Sequence, residues 1–132
     1  MCPERQLLKG GERRELLPGM PPALDAGGVL AMQRAVRGVH VSEALLDYSQ
    51  ALIARTRERA DLKLGLSPRA GQGLIRAAQA WAYLAGRAAV LPEDVQAVLP
   101  AVVAHRLERR EPEAGDGLGV ALEIIRAVPV PV

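Results

Sequence analysis

Ser67-Pro68-Arg69-Ala70 is the stretch of this sequence whose residue types and spacing could do chemistry. A serine oxygen can accept from the free first-turn amides of a helix, and proline suits the first helical position. Arg69 then falls in the first turn, where the helix end is already positive and a cation is mildly unfavourable. That end also suits an anion. An arginine placed there adds its charge, and a planar fork of donors matched to phosphate or carboxylate oxygens. The bland alternative is a solvated arginine on a helix shoulder. Ser67 and Pro68 would then do no more than start the helix.

Other chemistries lack their parts. A nucleoside triphosphatase needs a glycine-rich loop ending in Lys and Ser or Thr, and acidic residues for the metal. No such loop occurs, since Gly10-Gly11 and Gly27-Gly28 are followed by the wrong residues, and no apolar strand ends in Asp-Glu. No Ser/His/Asp or Cys/His set stands at a plausible site, and no carboxylate pair is spaced for acid–base work. The single cysteine, Cys2, has no partner for a disulfide or a metal and fits a reducing compartment. His40 reads as a loop residue and His105 as a helix-end cap. No catalytic residue and no metal ligand is assigned, and the chain alone is not expected to be a catalyst.

The elements that must position Arg69 follow from composition and periodicity. Hydrophobic residues make up 49% of the 132, with one Trp, two Tyr and no Phe, so the core is aliphatic. No stretch alternates with the two-residue period of a strand, and the fold class read here is all-α, a small bundle of about five helices. The central helix opens at Ser67, is rich in alanine, and carries Ala70, Leu74, Ala77, Ala78, Trp81 and Leu84 at three- and four-residue spacing. Trp81 is therefore expected to be largely buried against Leu45, Leu52 or Val98. Gly86 is expected to close the helix.

Along the chain, 1–17 reads as a lead-in helix broken at Gly10-Gly11, and 18–25, with three prolines, as a linker. The main bundle is 26–107. Asp25 caps a first helix with a stripe of Val29, Met32, Val36 and Val39. Ser42 caps a second with Leu45, Tyr48, Leu52 and Ile53. Pro92 starts a fourth, with Val95, Val98, Leu99 and Val102 inward and Glu93 and Asp94 at its positive end. Leu91 before it has no capping oxygen, at a cost of about 1 kcal/mol. Pro100 is expected to kink or split that helix. Residues 108–119 read as a flexible link and 120–128 as a short C-terminal helix.

Net charge is +2, from 17 basic and 15 acidic residues often side by side, as in Arg55-Thr-Arg-Glu-Arg59. Such mixing argues against nucleic acid as a partner, which calls for a single-sign face. No apolar run reaches the roughly 20 residues that span a bilayer, and a cytoplasmic location is expected.

Ser67-Pro-Arg-Ala70, Leu74-Ile-Arg-Ala-Ala78, Gly86-Arg87 and Leu91-Pro-Glu-Asp-Val95 resemble the lid subdomain of AAA+ ATPases of the MoxR type. So do Val39-His-Val-Ser42, Leu46-Asp-Tyr48 and His105-Arg-Leu107, and the likeness runs from about Leu7 to Leu107. The family usually has Thr or Ser where Leu91 stands. The resemblance implies that Arg69 is the second sensor, reaching from the lid to ATP phosphates. It implies ATP and Mg held mainly by a nucleotide-binding core domain outside this chain, neighbouring subunits in a ring, and hydrolysis-driven, chaperone-like remodelling of a client protein. Nucleotide turnover would swing the lid about a hinge near its N-terminal residues. A stand-alone helical interaction module without nucleotide contact is the competing expectation. A buried or paired Arg69 would favour it.

Overall fold

The computed structural model describes residues 5, 8–10 and 13–132. Cys2, and residues 1–4, 6, 7, 11 and 12 of the expected lead-in helix 1–17, lie outside the described residues. The chain divides into two units, Met1–Ala31 and Met32–Val132.

In the first unit a 3-10 helix covers Arg13–Gly19, with Pro18 inside it. Helix α1, Ala26–Arg37, begins in this unit and crosses into the second. Its start follows from Asp25, whose Oδ1 accepts the Gly28 amide at 2.6 Å. None of its residues is buried, so the expected stripe of Val29, Met32 and Val36 is not a core stripe; only Val39, just past the helix, is buried.

The second unit holds α2 (Glu43–Glu58), α3 (Pro68–Leu84), α4 (Pro92–Val103) and α5 (Gly117–Ala127). Short 3-10 turns cover Ala104–Arg106 and Pro112–Ala114. Among the described residues there is no strand, only two isolated bridges, His40 with Ala89 and Leu62 with Arg109. The all-α expectation holds. Leu45, Leu52, Leu74, Val95, Leu99 and Ile124 are buried in one core, each adding about 1.5–3 kcal/mol of burial.

Trp81 is a correction: it is 51% exposed and Leu84 73% exposed. The buried line of α3 is Ala70, Leu74, Ala78 and Ala82, with Gly71 and Gln79 beside it. α3 makes its most extensive contact with α4, and two backbones that close leave room for alanine, not indole. The caps are as expected. Ser42 Oγ accepts from Leu45 N–H and Ser67 Oγ from Ala70 N–H, both at 3.2 Å. Gly86 has φ +74, and the Gly86 and Arg87 amides donate to Tyr83 and Ala82 carbonyls at 2.9 Å, closing α3 as a left-handed glycine cap.

With no side-chain oxygen at Leu91, the Asp94 N–H turns to the Leu91 carbonyl at 3.0 Å, and only the reciprocal half of a capping box forms. Asp94 Oδ2 accepts the Leu91 N–H at 2.8 Å, and the same carboxylate takes both terminal nitrogens of Arg87. Those hydrogen bonds, led by Arg87's, hold the Asp94 pKa below the usual carboxylate range against the opposing effect of burial. Pro100 does not split α4, which runs unbroken to Val103 before tightening into the 3-10 turn at Ala104. Nor is the start of 108–119 free. Lys63 N–H donates to Glu108 C=O at 2.8 Å and Arg110 N–H to Asp61 C=O at 2.9 Å. Arg59, Asp61, Arg109 and Glu123 form an ion-pair network joining this crossing to α5.

Candidate functional site

The arrangement around Arg69 is built from α2 outward. α2 ends near Thr56 and Arg57, and both reach the same residue of the following loop. Thr56 Oγ1 accepts the Leu66 N–H at 2.9 Å while donating to the Ile53 carbonyl at 2.6 Å. Arg57 Nε donates to the Leu66 carbonyl at 2.9 Å. Leu66 is thus held by both backbone groups and by its buried side chain, immediately before the Ser67 cap. Gly65 lets the loop lie against α2: a Cβ there would sit 2.7 Å from Arg57 Cα, closer than any side chain allows.

Ser67 (φ −75, ψ 160, extended backbone) and Pro68 then set the direction of α3. The first-turn donors are almost spent. Pro68 has none, the Ala70 amide goes to Ser67 Oγ, and the Gly71 amide to Ser67 C=O at 3.2 Å. The Arg69 amide alone is left without a partner in that turn among the described residues. The anion site expected from several amides therefore reduces to one amide and the Arg69 guanidinium.

Arg69 itself is exposed, and among the described residues it makes no ion pair or side-chain hydrogen bond. It borders a groove between α2 and α3 with Leu46 and Ile53 on one wall and Ile75 and Arg76 on the other. Arg57 and Arg106 reach the same groove, and no Asp or Glu lines it. Ser67 and Pro68 start α3 as the sequence led one to expect, which leaves Arg69 in its first turn. The sequence did not single out Thr56, Arg57, Gly65 or Arg106, whose contribution depends on contacts eight or more residues away. No group of three or more His, Cys, Asp or Glu that could hold a metal occurs among the described residues. No helix there is long and apolar enough to cross a membrane.

Residues 54–125 match the AAA lid domain family. Over 98% of its length the chain is 30% identical to the uncharacterized protein YeaC of Bacillus subtilis, spanning 41% of that protein. It is 45% identical to protein MoxR of Paracoccus denitrificans over 53% of the chain and 24% of that relative. It is 36% identical to chaperone MoxR1 of Mycobacterium tuberculosis over 73% of the chain and 30% of that relative. A solved structure of a candidate ATPase from Cytophaga hutchinsonii superposes with a TM-score of 0.74 and 28% identity, over 80% of this chain and 36% of that one. The chain belongs to the AAA lid domain family. Its relatives make it a lid region of the MoxR type of AAA+ ATPase. It spans less than half the length of each of these relatives.

Proposed function

We propose that this bundle covers ATP held by a separate nucleotide-binding core domain, and that Arg69 donates to the phosphate oxygens. The observation carrying this reading is an exposed, unpaired Arg69 on a helix start gripped from both sides of Leu66. Such a side chain costs no internal contact to recruit, and its anchor cannot drift far. Its planar fork would favour charge that builds on phosphate oxygens as the terminal phosphoryl group departs. The residues present suit the anion and not the metal: free donors and no acid line the groove, so the Mg ligands would come from the core domain.

Alternation of the lid against the core through turnover would then drive remodelling of a client protein by a ring of such subunits. The name chaperone, carried by the Mycobacterium relative, agrees with that use. The interaction-module alternative called for a buried or paired Arg69, and the exposed side chain does not favour it.

The test is substitution at Arg69 in the assembled ATPase. Arg69→Lys keeps the charge and loses the fork. Turnover well below wild type, with ATP still bound, supports the reading; turnover equal to wild type for both Arg69→Lys and Arg69→Ala removes it.

A further inference from the structure

The α2–α3 groove extends well past Arg69, and its make-up suits a second kind of ligand. Arg69 and Arg76 are seven residues apart on α3, two helical turns, which puts them on one face about 10 Å apart. Arg57 from the end of α2 and Arg106 from the turn after α4 complete a cationic rim. All four are exposed. Among the described residues none of the four has a carboxylate partner, whereas Arg55, Arg59, Lys63, Arg87 and Arg109 all do. Arg76 touches only the Gln79 side-chain oxygen at 3.2 Å, and Arg106 only His105 Nε2 at 3.1 Å.

Between the arginines the surface carries Leu46, Ile53 and Ile75, with Gln50 and Gln72 beside them. Leu46 is 40% exposed on the α2 side, and Ile53 and Ile75 are half-buried along the floor. A phosphate chain would use the rim and leave this floor unused. A short helix with leucines on one face and carboxylates beside them would use both, as amphipathic helices do in apolar grooves. We infer that the α2–α3 groove is a docking site for an acidic amphipathic segment of a partner protein, with Arg76 and Arg106 pairing with its carboxylates and Leu46, Ile53 and Ile75 receiving its apolar side chains. The groove shares its Arg69 end with the proposed phosphate contact, but docking at Arg76 and Arg106 needs neither ATP nor the core domain.

The experiment uses the 132-residue chain without nucleotide. The probe is a fluorescein-labelled helical peptide with leucine at every third or fourth position and glutamate flanking them. Controls are the same peptide with lysine for glutamate, a scrambled peptide of equal charge, and inorganic triphosphate. Saturable binding of the acidic amphipathic peptide is expected, weakening as salt rises. Arg76→Glu combined with Arg106→Glu should lower its affinity at least roughly tenfold, as like charges replace complementary ones. Leu46→Asp should lower it comparably, while circular dichroism shows all variants folded. Binding of the scrambled peptide as tight as that of the amphipathic one overturns the inference. So does inorganic triphosphate that displaces the peptide and loses its own binding in the Arg76/Arg106 variant while Leu46→Asp has no effect, because the groove would then be a plain polyanion site. A turnover defect at Arg69 bears on neither outcome.

Discussion

Thr56→Val removes the amide half of the Leu66 clamp with almost no change of shape. Thr56 is 2% exposed and Leu66 4%, so neither water nor a neighbouring side chain can readily replace the lost acceptor. The Leu66 amide, now 2.9 Å from a methyl instead of a hydroxyl, is left buried and unsatisfied, at about 1–3 kcal/mol. The Ile53 carbonyl loses its hydroxyl donor too, at little further cost, because it remains an acceptor within α2. The new methyl returns up to ~0.8 kcal/mol of apolar burial. The net expectation is a destabilisation of about 1–2 kcal/mol, read by urea unfolding at unchanged m-value. Amide exchange at Leu66 gives the local readout: it should quicken in Thr56→Val, whereas Thr56→Ser, which keeps the hydroxyl, should leave it protected. Loss of less than about 0.5 kcal/mol together with unchanged Leu66 exchange would refute the clamp, since an ordinary surface site behaves that way.

Two further outcomes are expected. Trp81→Ala should cost well under the ~3–5 kcal/mol of a buried aromatic, because the indole is 51% exposed; emission close to that of a solvated indole in the folded wild type would agree, and a large loss in urea unfolding would not. Asp61 has its pKa lowered to about 2, chiefly by the hydrogen bond from Arg59 and against desolvation, so its contribution to stability is complete above the ordinary carboxylate pKa near ~3.9 and is lost as pH falls from there towards ~2. Asp61→Asn should flatten the acid side of the stability profile over that window; a profile as steep as wild type would show that the Arg59–Asp61–Arg109–Glu123 network does not set it.

Helix starts and stops were legible because each rests on a neighbour in sequence: Ser42 and Ser67 cap amides three residues on, Gly86 closes α3, and Asp25 opens α1. The position of Arg69 at the start of α3 was legible for the same reason. The facing of α3 was not. Periodicity weights side chains by size, and Trp81 drew the expected core stripe towards itself, but the close contact with α4 selects the small line through Ala78 and Ala82. Polar contacts between distant residues were invisible as well. Nothing local marks Thr56 and Arg57 as holding Leu66, Arg87 as pairing with Asp94, or Asp61–Lys63 as pairing with Glu108–Arg110. The groove arginines come from α2, α3 and the turn after α4, and only packing gathers them.

The central claim is that Arg69 serves phosphate and not the fold, and one variant separates the two. Arg69→Ala should change the unfolding free energy of this chain by less than about 0.5 kcal/mol, because the side chain is exposed and makes no ion pair or hydrogen bond among the described residues. In the assembled ATPase the same substitution should slow ATP hydrolysis by roughly 10- to 1000-fold, the range for losing one electrostatic donor to the reacting centre. A stable lid with unimpaired hydrolysis would contradict the account; so would a lid destabilised enough to explain the loss of turnover by itself.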